Sequence, residues 1–301
     1  MNNGSDQSDN ALAFTGERFT PECQREIWYE HMHRYALARR LVAGRDVLDA
    51  ACGEGYGTAL LATTARLAVG VDSSAEAIEH ARRRYGGEFR QGDVTALPYA
   101  EESFDVVVSF ETIEHLAAQR EMLAEFRRVL RPDGFLLISS PDRKTYSDDT
   151  GYTNPHHVRE LYRDEFEQLL AECFPAVRLF GQKLVFHSQI WALDDGADTG
   201  AVHQQYRENG IRDSDGPAHA PMYYLALCAA DNNHLPAPAG VYLFDDADES
   251  VYSHYNDVVR EVIEAGHALI ERDRRIRELQ QRPGQDDPSR GPGWFRRLLR
   301  R

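Results

Sequence analysis

The segment Val47-Leu48-Asp49-Ala50-Ala51-Cys52-Gly53-Glu54-Gly55-Tyr56-Gly57 joins an apolar run to three glycines at alternate positions. Glycines so closely spaced let a backbone turn sharply and pass near a ligand. Asp49 lies inside the apolar run, where a carboxylate suits an ammonium or sulfonium group better than a pyrophosphate. Asp72, nineteen residues after Gly53, ends the next apolar run and could accept from both hydroxyls of a ribose. Asp93 ends a third run and could accept from an adenine amino group. Each has a plainer reading. Asp49 could orient the loop, Asp72 could cap the next helix with Ser73 or Ser74, and Asp93 could be a turn residue. Their joint occurrence at the ends of three successive runs favours a nucleoside ligand. The GxGxG spacing, with Thr58 where a dinucleotide-binding turn has its last glycine, disfavours a nicotinamide cofactor.

These residues need a frame. Residues 46–51 read as a buried strand, 53–57 as a turn and 58–64 as a helix. A second strand over 67–71 ends at Asp72. A helix over 74–85 places Ala77, Ile78 and Ala81 on one face. Residues 89–91 are a short strand, and 104–110 are nearly all apolar, as a strand covered on both faces requires. A helix over 121–130, a turn over 131–134 and a strand over 135–139 follow. This alternation predicts an α/β fold with a parallel sheet and right-handed crossovers. Beyond it lie a polar loop (141–157), a helix (158–173) and two late strands (177–180 and 222–228). Residues 192–220 read as a long irregular insertion.

On these residues the chain resembles the class I S-adenosylmethionine-dependent methyltransferases, in their small-molecule branch. Residues 49–57 match that family's first motif, Asp72 its ribose-binding acid and Asp93-Val94 its adenine-contacting position. Residues 104–110, followed by Glu111-Thr112-Ile113-Glu114-His115-Leu116, match its fourth strand and exit. Leu130-Arg131-Pro132-Asp133-Gly134-Phe135 matches the turn into its fifth. The resemblance implies a Rossmann-like, seven-stranded sheet of order 3-2-1-4-5-7-6, its seventh strand antiparallel. It implies S-adenosyl-L-methionine as cofactor, with contacts from Asp49, Ala51, Gly53, Gly55, Gly57, Asp72, Ser73, Asp93, Val94, Phe110 and Glu111; Arg18, ahead of the first helix, could pair with the cofactor's carboxylate.

Methyl transfer to an oxygen needs alignment and, for a hydroxyl, loss of a proton, which histidine commonly accepts near neutral pH. His115, after the fourth strand, and His156 and His157, after the fifth, are the candidate bases; Glu111 or Glu114 could serve instead. Helix-start packing or surface polarity would explain the same histidines without chemistry. The TGERF start, the aromatic and histidine-rich helix after it, and the HVREL loop resemble methyltransferases of bacterial surface-polysaccharide assembly. That implies a sugar or glycan hydroxyl as acceptor. Another small molecule, or a cofactor-binding assembly partner without turnover, is the alternative.

The formal net charge of −15 disfavours a nucleic-acid partner. The four cysteines form neither a zinc pattern nor a disulfide framework. The His and Asp residues of 187–220 are scattered, so no metal is expected. Without a signal peptide or an apolar run of membrane-spanning length, a cytoplasmic location is expected. The predicted organisation is a disordered terminus (1–13), a helical lid (14–44), the methyltransferase domain (45–231), a linker (232–248), a long helix (249–281) and a flexible basic tail (282–301). In the long helix, Val251, Tyr255, Val258, Val262, Ala265, Leu269, Arg272, Ile276 and Leu279, all but Arg272 apolar, form a heptad-like seam, which predicts a homodimer, a glycosyltransferase partner or packing on its own domain. The tail mixes Trp, Phe and Leu with Arg, which predicts weak contact with a membrane surface.

Overall fold

The computed structural model describes residues 19–21, 26–190, 202–207, 210–214, 216–217, 219–237 and 239–281. Arg18, the 1–13 terminus and the 282–301 tail lie outside the described residues, as do parts of the lid and of the 192–220 insertion. The chain divides into two compact units, Met1–Asp245 and Asp246–Arg301.

The first unit opens with helix α1 (Glu26–Leu41). Strand β1 (Asp46–Ala50) leads into α2 (Tyr56–Ala62), and β2 (Leu67–Asp72) into α3 (Ala75–Tyr85). Strands β3 (Glu88–Gln91) and β4 (Phe104–Ser109) come next, then α4 (Gln119–Val129) and β5 (Leu130–Pro141). Helix α5 (Arg163–Cys173) precedes β6 (Ala176–Gln182). A separate hairpin, β7 (His203–Arg207) with β8 (Gly210–Ser214), stands before the last strand, β9 (Tyr223–Ala229). The seven-stranded sheet runs β3-β2-β1-β4-β5-β9-β6. Only β9 runs antiparallel to its neighbours, β5 and β6. With the hairpin set aside, this is the implied 3-2-1-4-5-7-6 order.

Alternation along the central strands explains why both sheet faces are buried. Leu48, Val107, Leu136 and Ile138 face a core closed by Met122 and Phe126 of α4 and Phe166 and Leu170 of α5. Val47, Val106, Val108, Phe135 and Leu137 face the opposite core, closed by Tyr35 and Ala38 of α1 and Tyr56 and Leu61 of α2. Asp49 takes the phase of Val47, so it faces α1 and α2.

Several boundaries differ from the sequence expectation. Helix α2 starts two residues early, because Gly55 at φ 96° turns the chain before Tyr56. Residues 158–162 are not helical. The N–H groups of Val158 and Arg159 donate to the Glu114 carbonyl, and Leu161 bridges to Asp142. Helix α5 then starts with the Glu165 carboxylate accepting from the Tyr162 N–H. The insertion is also less irregular than expected, since it contains the hairpin.

In the second unit, helix α6 (Ser250–Gln281) spans 32 residues, a length of about 48 Å. Val258, Val262, Leu269, Ile276 and Leu279 of its seam are exposed. No helix of the described residues is long and apolar enough to cross a membrane.

Candidate active site

A parallel sheet gathers the carboxyl ends of its strands along one edge, where loops converge. Here that edge carries a cavity of about 550 Å³, lined from the exits of β3, β2, β1, β4 and β5 and from α1 and the start of β9. Asp93 and Val94 follow β3, Asp72 and Ser73 end β2, and Ala51 and Gly53 follow β1. Phe110, Glu111, Thr112 and His115 follow β4, and Tyr146, Asn154 and His157 follow β5. Phe19, His31, Tyr35, Tyr56 and Tyr223 complete the wall.

At one end, two acids are held by their own loops. Asp72 accepts from the Gly53 N–H at 2.9 Å and from the Ser74 N–H at 2.8 Å, which ties β1 to β2. Ser74 caps α3 through its hydroxyl. Asp93 accepts from the Thr95 N–H and hydroxyl, which lowers its pKa. Both carboxylates keep lone pairs for a ligand.

Not every expected residue reaches the cavity. Asp49 is buried behind the wall, accepting from Tyr35 at 3.1 Å and Thr58 at 2.7 Å. Burial raises its pKa to about 6. It places Tyr35 rather than lining the cavity itself. Gly55 and Gly57 are also absent from the wall. A Cβ on Gly55 would meet Ala81 at 2.7 Å, and one on Gly57 would meet the Tyr35 ring at 2.1 Å. These two glycines make room for side chains of the protein, whereas Gly53 alone fronts the cavity. His156 is exposed and outside the lining; it contributes its backbone carbonyl, which accepts from His115 Nδ1 at 3.1 Å.

The other end combines β4, β5 and α1. Glu111 sits at φ 49°, a strained conformation for a side chain of its size. Its N–H donates to the Ser139 hydroxyl, and its carboxylate pairs with Arg34 at 2.8 Å. Arg34 is fully buried, stacks over the Tyr223 ring and donates to Gln182 at 2.7 Å. His157 donates from Nδ1 to Glu160 at 2.5 Å and stacks on Tyr146, with the His115 ring edge-on to it at 5.0 Å. Glu114 lies beneath, fully buried, one oxygen 3.8 Å from His115 Nε2. Burial, then the charge of Glu111, push its pKa well up. Burial likewise raises Glu30 to about 7 and Tyr146 to about 12.

Arg34, Tyr146, Asn154, Glu160 and Tyr223 were not singled out in the sequence. They come from a helix face, a loop and a strand start whose convergence only the topology creates. A π turn at Lys144–Asp148 carries Tyr146, and π turns are enriched at functional sites.

A sheet of this order with a nucleoside-sized cavity at its carboxyl edge defines a cofactor-binding α/β enzyme fold. The family model described as a methyltransferase domain matches residues 48–138. Two relatives are named as probable S-adenosylmethionine-dependent methyltransferases. That of Mycolicibacterium smegmatis is 38% identical over 211 residues, covering 68% of this chain and 80% of the relative. Rv3030 of Mycobacterium tuberculosis is 43% identical over 234 residues, covering 75% and 84%. Among solved structures, YcgJ of Bacillus subtilis aligns at a TM-score of 0.48 with 19% identity, over 67% of this chain and 100% of that one. The chain belongs to the S-adenosylmethionine-dependent methyltransferases, and S-adenosylmethionine is its cofactor.

Proposed function

We propose that the chain methylates a hydroxyl oxygen of a sugar or glycan. When bound, the cofactor supplies a methyl group on a positively charged sulfur, a donor that needs alignment more than activation. In this reading Asp72 accepts from the ribose, Asp93 accepts from the adenine, and Val94, Leu116 and Phe110 offer apolar surface beside them. Gly53 lets the backbone approach, and Tyr35, placed by Asp49, closes the wall on the α1 side.

The observation that carries the acceptor class is the pairing of two imidazoles, His115 and His157, with Glu111 and Glu114 at the far end of the cavity. A carboxylate acceptor has no proton to lose and would make no use of these groups. A neutral hydroxyl does have one, and the imidazoles stand where it must be taken up or polarised. Tyr146 and Tyr152 offer ring faces, and Asn154 offers paired donor and acceptor atoms, a combination suited to a sugar ring.

The test is turnover of the full chain on nucleotide sugars, oligosaccharides, fatty acids and amines, with products read by mass and NMR. A sugar methyl ether is the expected product. Turnover confined to carboxylates or amines would refute the acceptor class. In calorimetry with S-adenosylhomocysteine, Asp72→Ala should weaken binding roughly 10- to 100-fold, the worth of charged hydrogen bonds. His157→Asn should lower kcat on the order of 10²- to 10⁴-fold, as loss of a group that handles the proton does.

A further inference from the structure

Among the described residues, Glu114 is the carboxylate with both oxygens buried and neither in a hydrogen bond. It is fully buried, at the start of the segment leaving β4. An ionised carboxylate in that position lacks solvation, and a neutral one would have an O–H without an acceptor. Either form is unfavourable to bury. A buried polar group without a partner in a native protein calls for an explanation, of which a bound ion is one.

The surroundings define what kind. One ligand atom each of Glu114, His115 and His157 lies within 4.8 Å of the other two. The tautomers follow from the partners, since a carbonyl or carboxylate oxygen can only accept. His115 Nδ1 donates to the His156 carbonyl, and His157 Nδ1 donates to Glu160. On both rings Nε2 is therefore the nitrogen able to give a lone pair to a cation. An imidazole whose other nitrogen is fixed by a carbonyl or carboxylate is the usual arrangement around bound metal ions. Glu111, next to Glu114, adds negative charge on the same side, offset in part by its ion-pair partner Arg34.

We propose that Glu114, His115 and His157 bind one divalent transition-metal ion at the acceptor end of the cavity. Two imidazoles with one carboxylate favour zinc, cobalt, iron or manganese over magnesium or calcium, which prefer oxygen alone. Metal–ligand bonds of about 2.0–2.2 Å require the three groups to draw in by roughly an ångström. They also require Asn154, which now donates to His157 Nε2 at 3.0 Å, to turn aside. The inference deepens the hydroxyl-acceptor reading and rests on it for its chemical role. With both Nε2 atoms given to the ion, the imidazoles would act through it rather than as bases, and the acceptor oxygen that the ion polarises would lose its proton to water at the cavity mouth. Its electron pair would then form the bond to the methyl carbon as the carbon–sulfur pair returns to sulfur. The sequence expectation of no metal looked for ligands clustered within 187–220. These three come from two separate loops.

The test is titration of the chelator-treated full chain with Co²⁺, followed by visible absorption. The expected result is one equivalent bound, with ligand-field bands of a nitrogen–oxygen site. Binding should be at least 100-fold weaker in Glu114→Gln and in His157→Asn, and within twofold of wild type in His156→Ala. Absence of stoichiometric binding, or variants that bind like wild type, would overturn the proposal. S-adenosylhomocysteine binding reports whether each variant is folded. If the variants do not fold, X-ray absorption on the Co²⁺-loaded wild type decides. Two imidazoles in the shell support the site, and one or none removes it. The titration contains no acceptor, so its failure leaves hydroxyl methylation standing, and a failed acceptor screen leaves the metal result standing.

Discussion

Glu54, in the glycine loop, and Glu114, after β4, are equally buried and oppositely treated. Glu54 accepts from Tyr85 at 2.7 Å and lies 2.9 Å from His80 Nε2, so the loop is locked to α3. Glu114 faces two imidazoles and makes no side-chain hydrogen bond. The difference separates two tasks within one cavity. In the proposed reading, the glycine loop at the cofactor end is held by its own hydrogen bonds, while the acceptor end keeps Glu114 for the ion inferred there. Asp49 is an intermediate case, bonded on both oxygens yet still strongly affected by burial.

The comparison breaks if the two glutamates respond alike to truncation. Glu54→Ala should cost about 3–5 kcal/mol in urea unfolding, as loss of one partner of a buried pair does. Glu114→Gln, in metal-free protein, should instead hold or raise stability, because it removes no hydrogen bond and takes an ionisable carboxyl out of a buried site. Similar losses for both would place Glu114 in the fabric of the fold.

Asp49 sharpens the contrast through pH. Its folded pKa, about 6, lies above the 3.8 of a free aspartate, so between these values the folded chain holds a proton that the unfolded chain has released. The resulting stabilisation is complete below about pH 4 and disappears as pH rises through 6. Over that window the wild type should lose up to about 3 kcal/mol relative to Asp49→Asn. Parallel pH profiles for the two proteins would show that burial of Asp49 carries no such cost.

Gly57→Ala tests the packing under the same wall. The new methyl would fall on the Tyr35 ring, displacing the phenol from Asp49 and from the cavity. Overpacking of this kind costs about 1–3 kcal/mol. Thermal unfolding and S-adenosylhomocysteine affinity should both decline. An unchanged affinity would mean that Tyr35 does not shape the cofactor end.

Most of the sheet was legible because β1, β2, β4 and β5 are short runs rich in apolar residues that alternate with segments of helical periodicity, as a parallel sheet covered on both faces requires. The acids at the ends of β2 and β3 were legible for the same reason, since strand ends meet on one edge by geometry. The purpose of Gly55 and Gly57 was not, because spacing shows that a backbone must turn but not whether ligand or protein fills the space. Arg34 and Tyr223 were equally hidden. Nothing in α1 or β9 alone records that they meet Glu111. His156 and His157 are neighbours in a loop without periodicity, so the choice between them rests on Glu160 and Asn154, which bond to His157.

The smallest expected effect lies at the start of the glycine loop. Ala51 leaves β1 at φ 65°, a left-handed conformation that costs a side-chain-bearing residue about 1–2 kcal/mol. Glycine would relieve that strain but lose more chain entropy on folding, about 0.5–1 kcal/mol. The net gain for Ala51→Gly is therefore on the order of 0.5 kcal/mol. If the loop is already a finished structure, this gain should appear in unfolding with cofactor affinity unchanged. A loss of affinity alongside the gain would mean that the strain at Ala51 holds Gly53 and Asp72 in place, and the cofactor end would then share the unfinished character of the acceptor end.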